Sequence, residues 1–181
     1  MSELSRRAFV SALAASIPMF SAHRPLVAEA LSTRGPRALT FLHTHTGERL
    51  AVEYFARGGY LADALSAVNH FLRDFRTGDV HAIDPGLLDL LHQVTIKTGS
   101  AKPFQVISGY RSPVTNEMLR HRSEGVAAGS LHMQGQAIDI RLADVPLAKL
   151  RRAALAVRRG GVGFYPASDF VHVDTGRVRA W

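Results

Sequence analysis

The 181-residue chain has no cysteine. Disulfides, thiolate zinc sites and a cysteine nucleophile are thereby excluded, so any metal must sit on His, Asp or Glu. Such a chain is also indifferent to the redox state of its compartment. Charged residues are sparse, 20% against 46% hydrophobic, which excludes a disordered chain and leaves enough apolar side chain for a real core. No apolar run reaches the ~20 residues of a membrane-spanning helix, so stable membrane insertion is not expected. Repeats and low-complexity stretches are absent as well, which argues for one ordinary domain plus a short appendage.

Lysine is the other scarcity: 19 of the 22 basic residues are arginine, and the formal charge is +7. The arginines are scattered (Arg73, Arg76, Arg120, Arg122, Arg151, Arg152, Arg158, Arg159) rather than gathered into one arm. A dispersed positive field suits nucleic acid, anionic lipid or an anionic wall polymer alike, and arginine richness also follows from genome composition alone. The first thirty residues narrow the choice. Arg6 and Arg7 precede an apolar run from Ala8 to Phe20, broken only by Ser11, Ser16 and Pro18, with small residues beyond it. This is the layout of a signal peptide over residues 1–30, with cleavage after Ala22 or Ala30. Its arginine pair resembles a twin-arginine signal, which exports folded proteins. An amphipathic first helix of the domain is the alternative. Export to the periplasm makes nucleic acid a poor partner and the cell wall a good one.

Residues 31–181 read as one domain. Ala38 to His43 and Arg49 to Phe55 are strand-like, joined by a hairpin turn over Thr44 to Glu48. Leu61, Leu65, Val68, Phe71 and Leu72 recur at helical spacing. Asp84-Pro85 supplies a cap and a first-turn proline for a second helix, through Leu91. Phe104 to Ile107 is a short strand, and Ser112-Pro113 caps a helix reaching about Arg122. Gly135 to Leu142 reads as a strand with Ala137, Asp139 and Arg141 on one face. A basic helix from Pro146 to Arg158 and two strands, Val162 to Tyr165 and Phe170 to Asp174, complete the chain. The class is α+β, with helices packed on a small, mostly antiparallel sheet.

Two strands carry side chains that do not suit their surroundings. Asp139 stands between Ile138 and Ile140, and His172 stands in Phe-Val-His-Val. A carboxylate in an apolar strand is costly to bury unless it is paired or bound to a cation. His132 precedes Asp139 by seven residues with Gly135 between, so a turn can aim both at one point. Two imidazoles and one carboxylate leave a fourth position open, the pattern of catalytic rather than structural zinc, and zinc so held brings the pKa of water to about 7. On spacing alone the alternatives stand: hydrogen-bonded core histidines, and an Asp139 paired with Arg141.

The run Ser-x-His-x-x-Gly-x-Ala-x-Asp, Ser130 to Asp139, followed by a late strand histidine, resembles the zinc signature of the D-alanyl-D-alanine metallopeptidases. That superfamily includes the lysostaphin-type endopeptidases and the hedgehog zinc domain. Thr44 to Glu48, Leu72-Arg73-Asp74-Phe75-Arg76, Ser108 to Pro113, Gly160 to Tyr165 and Phe170 to Gly176 are similar, more closely, to the murein endopeptidase K family. The likeness runs from about Leu39 to Trp181. It implies the hedgehog/D-Ala-D-Ala-peptidase-like fold, Zn2+ on His132, Asp139 and His172, and an Arg111 that steadies the substrate carbonyl or its oxyanion. The general base is open between two residues. Asp169 holds the place where relatives carry the Glu of Glu-x-x-His, and Asp174 shares the face of His172. Asp174 serves equally as a residue orienting a ligand.

The activity so implied is zinc-dependent hydrolysis of peptide cross-links in murein, with diaminopimelate on one or both sides, by a monomeric enzyme. A D,D-carboxypeptidase trimming stem peptides is a second reading. A zinc-containing module that binds murein without cutting it is a third.

Overall fold

The computed structural model describes residues 35–122 and 126–181. The signal peptide expected over residues 1–30 lies outside them. Eight strands form one sheet: β1 (Arg37–His43), β2 (Arg49–Ala56), β3 (Gly59–Tyr60), β4 (Phe104–Ser108), β5 (Ala137–Arg141), β6 (Gly161–Tyr165), β7 (Phe170–Asp174) and β8 (Arg179–Ala180). Among the described residues four helices accompany it: α1 (Ala62–Phe71), α2 (Pro85–Thr98), α3 (Pro113–Arg122) and α4 (Leu147–Val157). The strand order is β3-β2-β1-β4-β5-β7-β6-β8. Among the described residues no helix is long and apolar enough to cross a membrane.

The alternation of side chains along a strand divides the sheet into two faces with different tasks. Ile138 and Ile140 of β5, Val171 and Val173 of β7 and Phe104 and Val106 of β4 are buried in the core. Leu87, Leu88, Leu91 and Val94 of α2 and Leu150, Ala153 and Ala154 of α4 join the same cluster. Helices α2 and α4 pack on each other, α4 lies against β6 and β7, and α2 lies against β1. The intervening residues, Asp139 on β5 and His172 and Asp174 on β7, therefore project from the opposite face. A core built on one side leaves a polar site on the other.

The α+β class holds, but the small, mostly antiparallel sheet does not. The sheet has eight strands and is mixed, with β1 parallel to β4 and β6 parallel to β8. The reason is connection length. A hairpin can only return antiparallel, whereas the long segment carrying α1 and α2 crosses over and brings β4 back in the direction of β1. Strands β3 and β8 have two residues each, too few for a period-2 pattern to register.

Local expectations fare better at starts than at ends. Asp84 caps α2 by accepting from the Gly86 amide at 2.8 Å, and Ser112 Oγ accepts from the Thr115 amide at 3.2 Å in the first turn of α3. Helix α2, expected to end near Leu91, continues to Thr98 because Val94 and Thr98 extend the buried stripe, and Gly99 at φ 70° then stops it. The β5 segment was expected to start at Gly135. Instead Gly135 closes a short 3₁₀ turn, Leu131–Gln134, at φ 66°.

Gly135 is constrained twice. Its backbone is left-handed, and a Cβ added there would lie 2.1 Å from the Ala82 carbonyl oxygen. Gly135→Ala is therefore expected to destabilise the protein by more than ~2 kcal/mol, beyond the strain of φ alone. Denaturant unfolding measures it, and a loss under ~1 kcal/mol would mean that the Ala82 strand of chain yields freely.

Candidate metal centre and its cavity

Three elements converge on one point. Asp139 and His172 are direct partners in the β5–β7 ladder, so their side chains emerge side by side on the same face. His132 comes from the 3₁₀ turn that Gly135 closes. His172 Nδ1 lies 2.9 Å from Asp139 Oδ1, His132 Nε2 lies 3.2 Å from His172 Nδ1, and His132 Nε2 lies 3.3 Å from Asp139 Oδ1. Among the described residues these three side chains form the only group of three or more potential ligands gathered closely enough to hold a metal ion.

The remaining nitrogen of each ring is committed elsewhere. His132 Nδ1 donates to the Gly109 carbonyl at 2.7 Å, which leaves a lone pair on Nε2. His172 Nε2 donates to Asp174 Oδ2 at 3.1 Å, which leaves a lone pair on Nδ1. Two lone pairs and a carboxylate oxygen thus face one another, an arrangement that needs a cation between them. Tetrahedral coordination with bonds of about 2.0–2.1 Å has ligand–ligand edges of roughly 3.3–3.4 Å. Two edges of the observed triangle, 3.2 and 3.3 Å, come close to this, and the third, His172 to Asp139 at 2.9 Å, is shorter, a hydrogen-bond distance. Arg141, the other candidate partner of Asp139, is bonded instead to Gln105 and Asp169.

Without a metal, a proton stabilises the cluster. Burial disfavours charge on His172, but hydrogen bonds to Asp139 and Asp174 outweigh it and raise the pKa to about 9. Burial likewise opposes ionisation of Asp139, and the two imidazoles overcome it, holding the carboxyl well below its usual range.

Asp174 is fully buried and its oxygens are saturated. Oδ1 accepts from the amides of Gly161 (3.0 Å) and Gly176 (2.9 Å) and from Arg179 (3.0 Å). Oδ2 accepts from His172 and from Arg179 at 2.7 Å. Burial works against the charge, but these donors depress its pKa well below the carboxylate range. Asp169 sits at φ 52° just before β7, with its side chain mostly exposed and bonded to Arg141 at 2.7 Å. Arg111 reaches the site but is poorly satisfied there. It lies 3.7 Å from Asp139 Oδ2, 3.4 Å from Ser108 Oγ and 3.5 Å from Asn116 Oδ1, and its buried Nε has no partner among the described residues. Burial is the main influence lowering its pKa.

The three clustered side chains and Arg111 line a cavity of about 430 Å3 whose wall also includes His45, Arg76, Tyr165, Arg179 and Trp181. Periodicity could not have found these last five. They come from loops and strand ends, and only the shared motifs that contain His45, Arg76 and Tyr165 marked any of them. Asp139 is the one acidic residue among the described lining residues.

The His172 shift fixes a pH window. Its pKa is raised in the folded state, so its contribution to stability is complete below the unfolded value near 6.5 and disappears as pH rises to about 9. Chelator-treated protein should therefore lose thermal stability between pH 6.5 and 9, while metal-loaded protein should not. A flat profile for the metal-free form would show that no proton is held there.

Comparison with known proteins supplies the family. The family model described as peptidoglycan L,D-endopeptidase MepK matches residues 31–181. The peptidoglycan L,D-endopeptidase MepK of Escherichia coli (strain K12) is 50% identical over 151 residues, 83% of each chain. The probable peptidoglycan L,D-endopeptidase MepK of Haemophilus influenzae is 45% identical over 152 residues, 83% of this chain and 82% of its own. With a match across every described residue and identity at this level, the chain belongs to the peptidoglycan L,D-endopeptidase MepK family.

Proposed function

We propose that this protein is a zinc-dependent endopeptidase that hydrolyses L,D peptide cross-links in murein, with His132, Asp139 and His172 as the metal ligands. The observation that carries the reading is the triangle of potential ligand atoms, 2.9 to 3.3 Å on its edges, whose residues line a cavity of about 430 Å3. The names borne by the family and its relatives agree with it. A carboxypeptidase or a non-cutting wall module is not favoured by those names. The signature residues further support a hedgehog/D-Ala-D-Ala-peptidase-like scaffold. The leader over residues 1–30 supports export through the twin-arginine route to the periplasm.

A zinc ion held by His132, Asp139 and His172 would polarise the scissile carbonyl and lower the pKa of a water to about 7, so that hydroxide is available near neutral pH. Arg111 supplies the under-used donors that receive negative charge as it develops on the carbonyl oxygen. Asp174 holds His172 in the tautomer whose Nδ1 is free, and its five contacts leave it no capacity to accept a proton. Of the two candidate bases that leaves Asp169, which stands outside the cavity lining and carries the proton only once its carboxylate leaves Arg141 and turns toward the cavity. Its pair with Arg141 is exposed, and such pairs contribute only ~0–1 kcal/mol, so releasing the carboxylate costs little.

These roles separate experimentally. Purified cross-linked murein digested with the mature protein should lose dimers in a reaction stopped by chelator and restored by zinc, with fragment masses identifying the bond. Intact dimers beside a fully loaded metal site would overturn the endopeptidase reading. Asp174→Asn should weaken metal affinity by roughly 10–100-fold. Asp169→Asn should leave metal affinity unchanged and lower kcat by ~10²-fold or more. Full turnover by Asp169→Asn would remove that residue from the reaction.

A further inference from the structure

The motif Leu72-Arg73-Asp74-Phe75-Arg76 has no part in the metal centre, yet it delivers Arg76 to the cavity wall. Three arginines line that wall. Arg179 is neutralised by Asp174 and Arg111 stands beside Asp139, whereas Arg76 has no carboxylate partner among the described residues. Its guanidinium lies 4.1 Å from the centroid of the Phe75 ring, and Phe75 is itself stacked on His45 at 4.3 Å. Arg76 is also close enough to disfavour the charge on Arg111, after burial and against the help of Asp139. Two cations kept near each other at one cavity, only one of them beside an acid, form a receptor for an anion.

The backbone is arranged to hold this geometry. Asp74 is buried to 1% exposure. Its Oδ1 accepts from the amide of Arg76 at 3.0 Å, and its Oδ2 accepts from the amide of Ser112, next to Arg111, at 2.9 Å. One carboxylate therefore ties the main chain beside both arginines. The loop is closed by Asp74 N–H to Asp79 O at 2.9 Å and Gly78 N–H to Asp74 O at 2.7 Å, and Tyr110 N–H donates to Leu72 O at 2.8 Å. Arg73 clamps the neighbouring turn through two bonds to Glu48 at 3.0 Å. A loop this firmly anchored holds Arg76 on the cavity wall that Arg111 also lines.

We propose that Arg76 is a substrate clamp that binds a carboxylate of the cross-linked peptide, away from the scissile bond. This rests on the endopeptidase reading and adds to it a requirement for an acidic peptide. The guanidinium fork suits a carboxylate in two-point contact, with Phe75 holding its plane. The carboxylate is either the peptide's terminal one or one on a side chain.

A defined cross-linked peptide with all carboxylates free, compared with versions amidated at the terminal or at the side-chain position, tests the clamp. Wild-type protein and Arg76→Gln are assayed on each for kcat and KM. Binding is read separately through Trp181, the only tryptophan of the chain and part of the cavity wall. For the free peptide, Arg76→Gln should raise KM and Kd by ~10–100-fold with kcat nearly unchanged. One amidated peptide should impose the same penalty on wild type and no further penalty on Arg76→Gln, which identifies the carboxylate. Arg76→Lys should recover part of the binding. Equal penalties from amidation in both proteins, or a fall in kcat alone, would overturn the clamp. Should the metal-loaded wild type cut none of the peptides, the endopeptidase reading fails, and the Trp181 titrations still decide the clamp by the same comparison.

Discussion

Two imidazole lone pairs and a carboxylate oxygen are held within 3.3 Å of one another, and that enforced crowding organises this molecule. Left alone, acceptors at such distances repel. They are kept together because the opposite nitrogen of each ring is already spent, on the Gly109 carbonyl for His132 and on Asp174 for His172. The strain of crowding is thus supported from behind. Asp174 in turn is supported by two amides and by the partly exposed Arg179, so the arrangement extends two hydrogen bonds outward from His172 before reaching solvent.

The same logic governs the two carboxylates that the sequence left in competition. Strand spacing correctly put Asp174 on the face of His172, but spacing carries no information about Arg179 or the Gly161 and Gly176 amides. Those partners favour Asp174 as a residue that orients His172 over Asp174 as a proton carrier. Asp169 has the converse history: its motif position suggested chemistry, and its left-handed backbone and exposed partner Arg141 were invisible until the chain was folded.

Elements with strong local signals were legible in advance. The two helices opened by Asp84 and Ser112, the β1–β2 hairpin, and the mismatched Asp139 and His172 in apolar strands all follow from neighbours within a few residues. What could not be read was the joining of distant pieces. Two-residue strands have no period. A 3₁₀ turn around His132 has no hydrophobic stripe. A cavity wall made of His45, Arg76, Tyr165 and Trp181 depends on where β1, β4 and β6 end relative to one another, which a linear pattern does not encode.

The pairing of Asp139 with His172 across β5 and β7 has a consequence for the quality of the folded protein. Moving β7 by one residue would turn His172 and Asp174 inward and drive Val171 and Val173 out. Core and proposed metal centre are thus two sides of a single alignment, and the centre cannot assemble unless the core is in register. On the proposed ligand set, a metal ion that binds has in effect inspected the hydrophobic packing on the far side of the sheet. Enzyme that is wrongly registered would lack the centre altogether, so a mis-assembled copy of this wall hydrolase would be inert rather than unregulated.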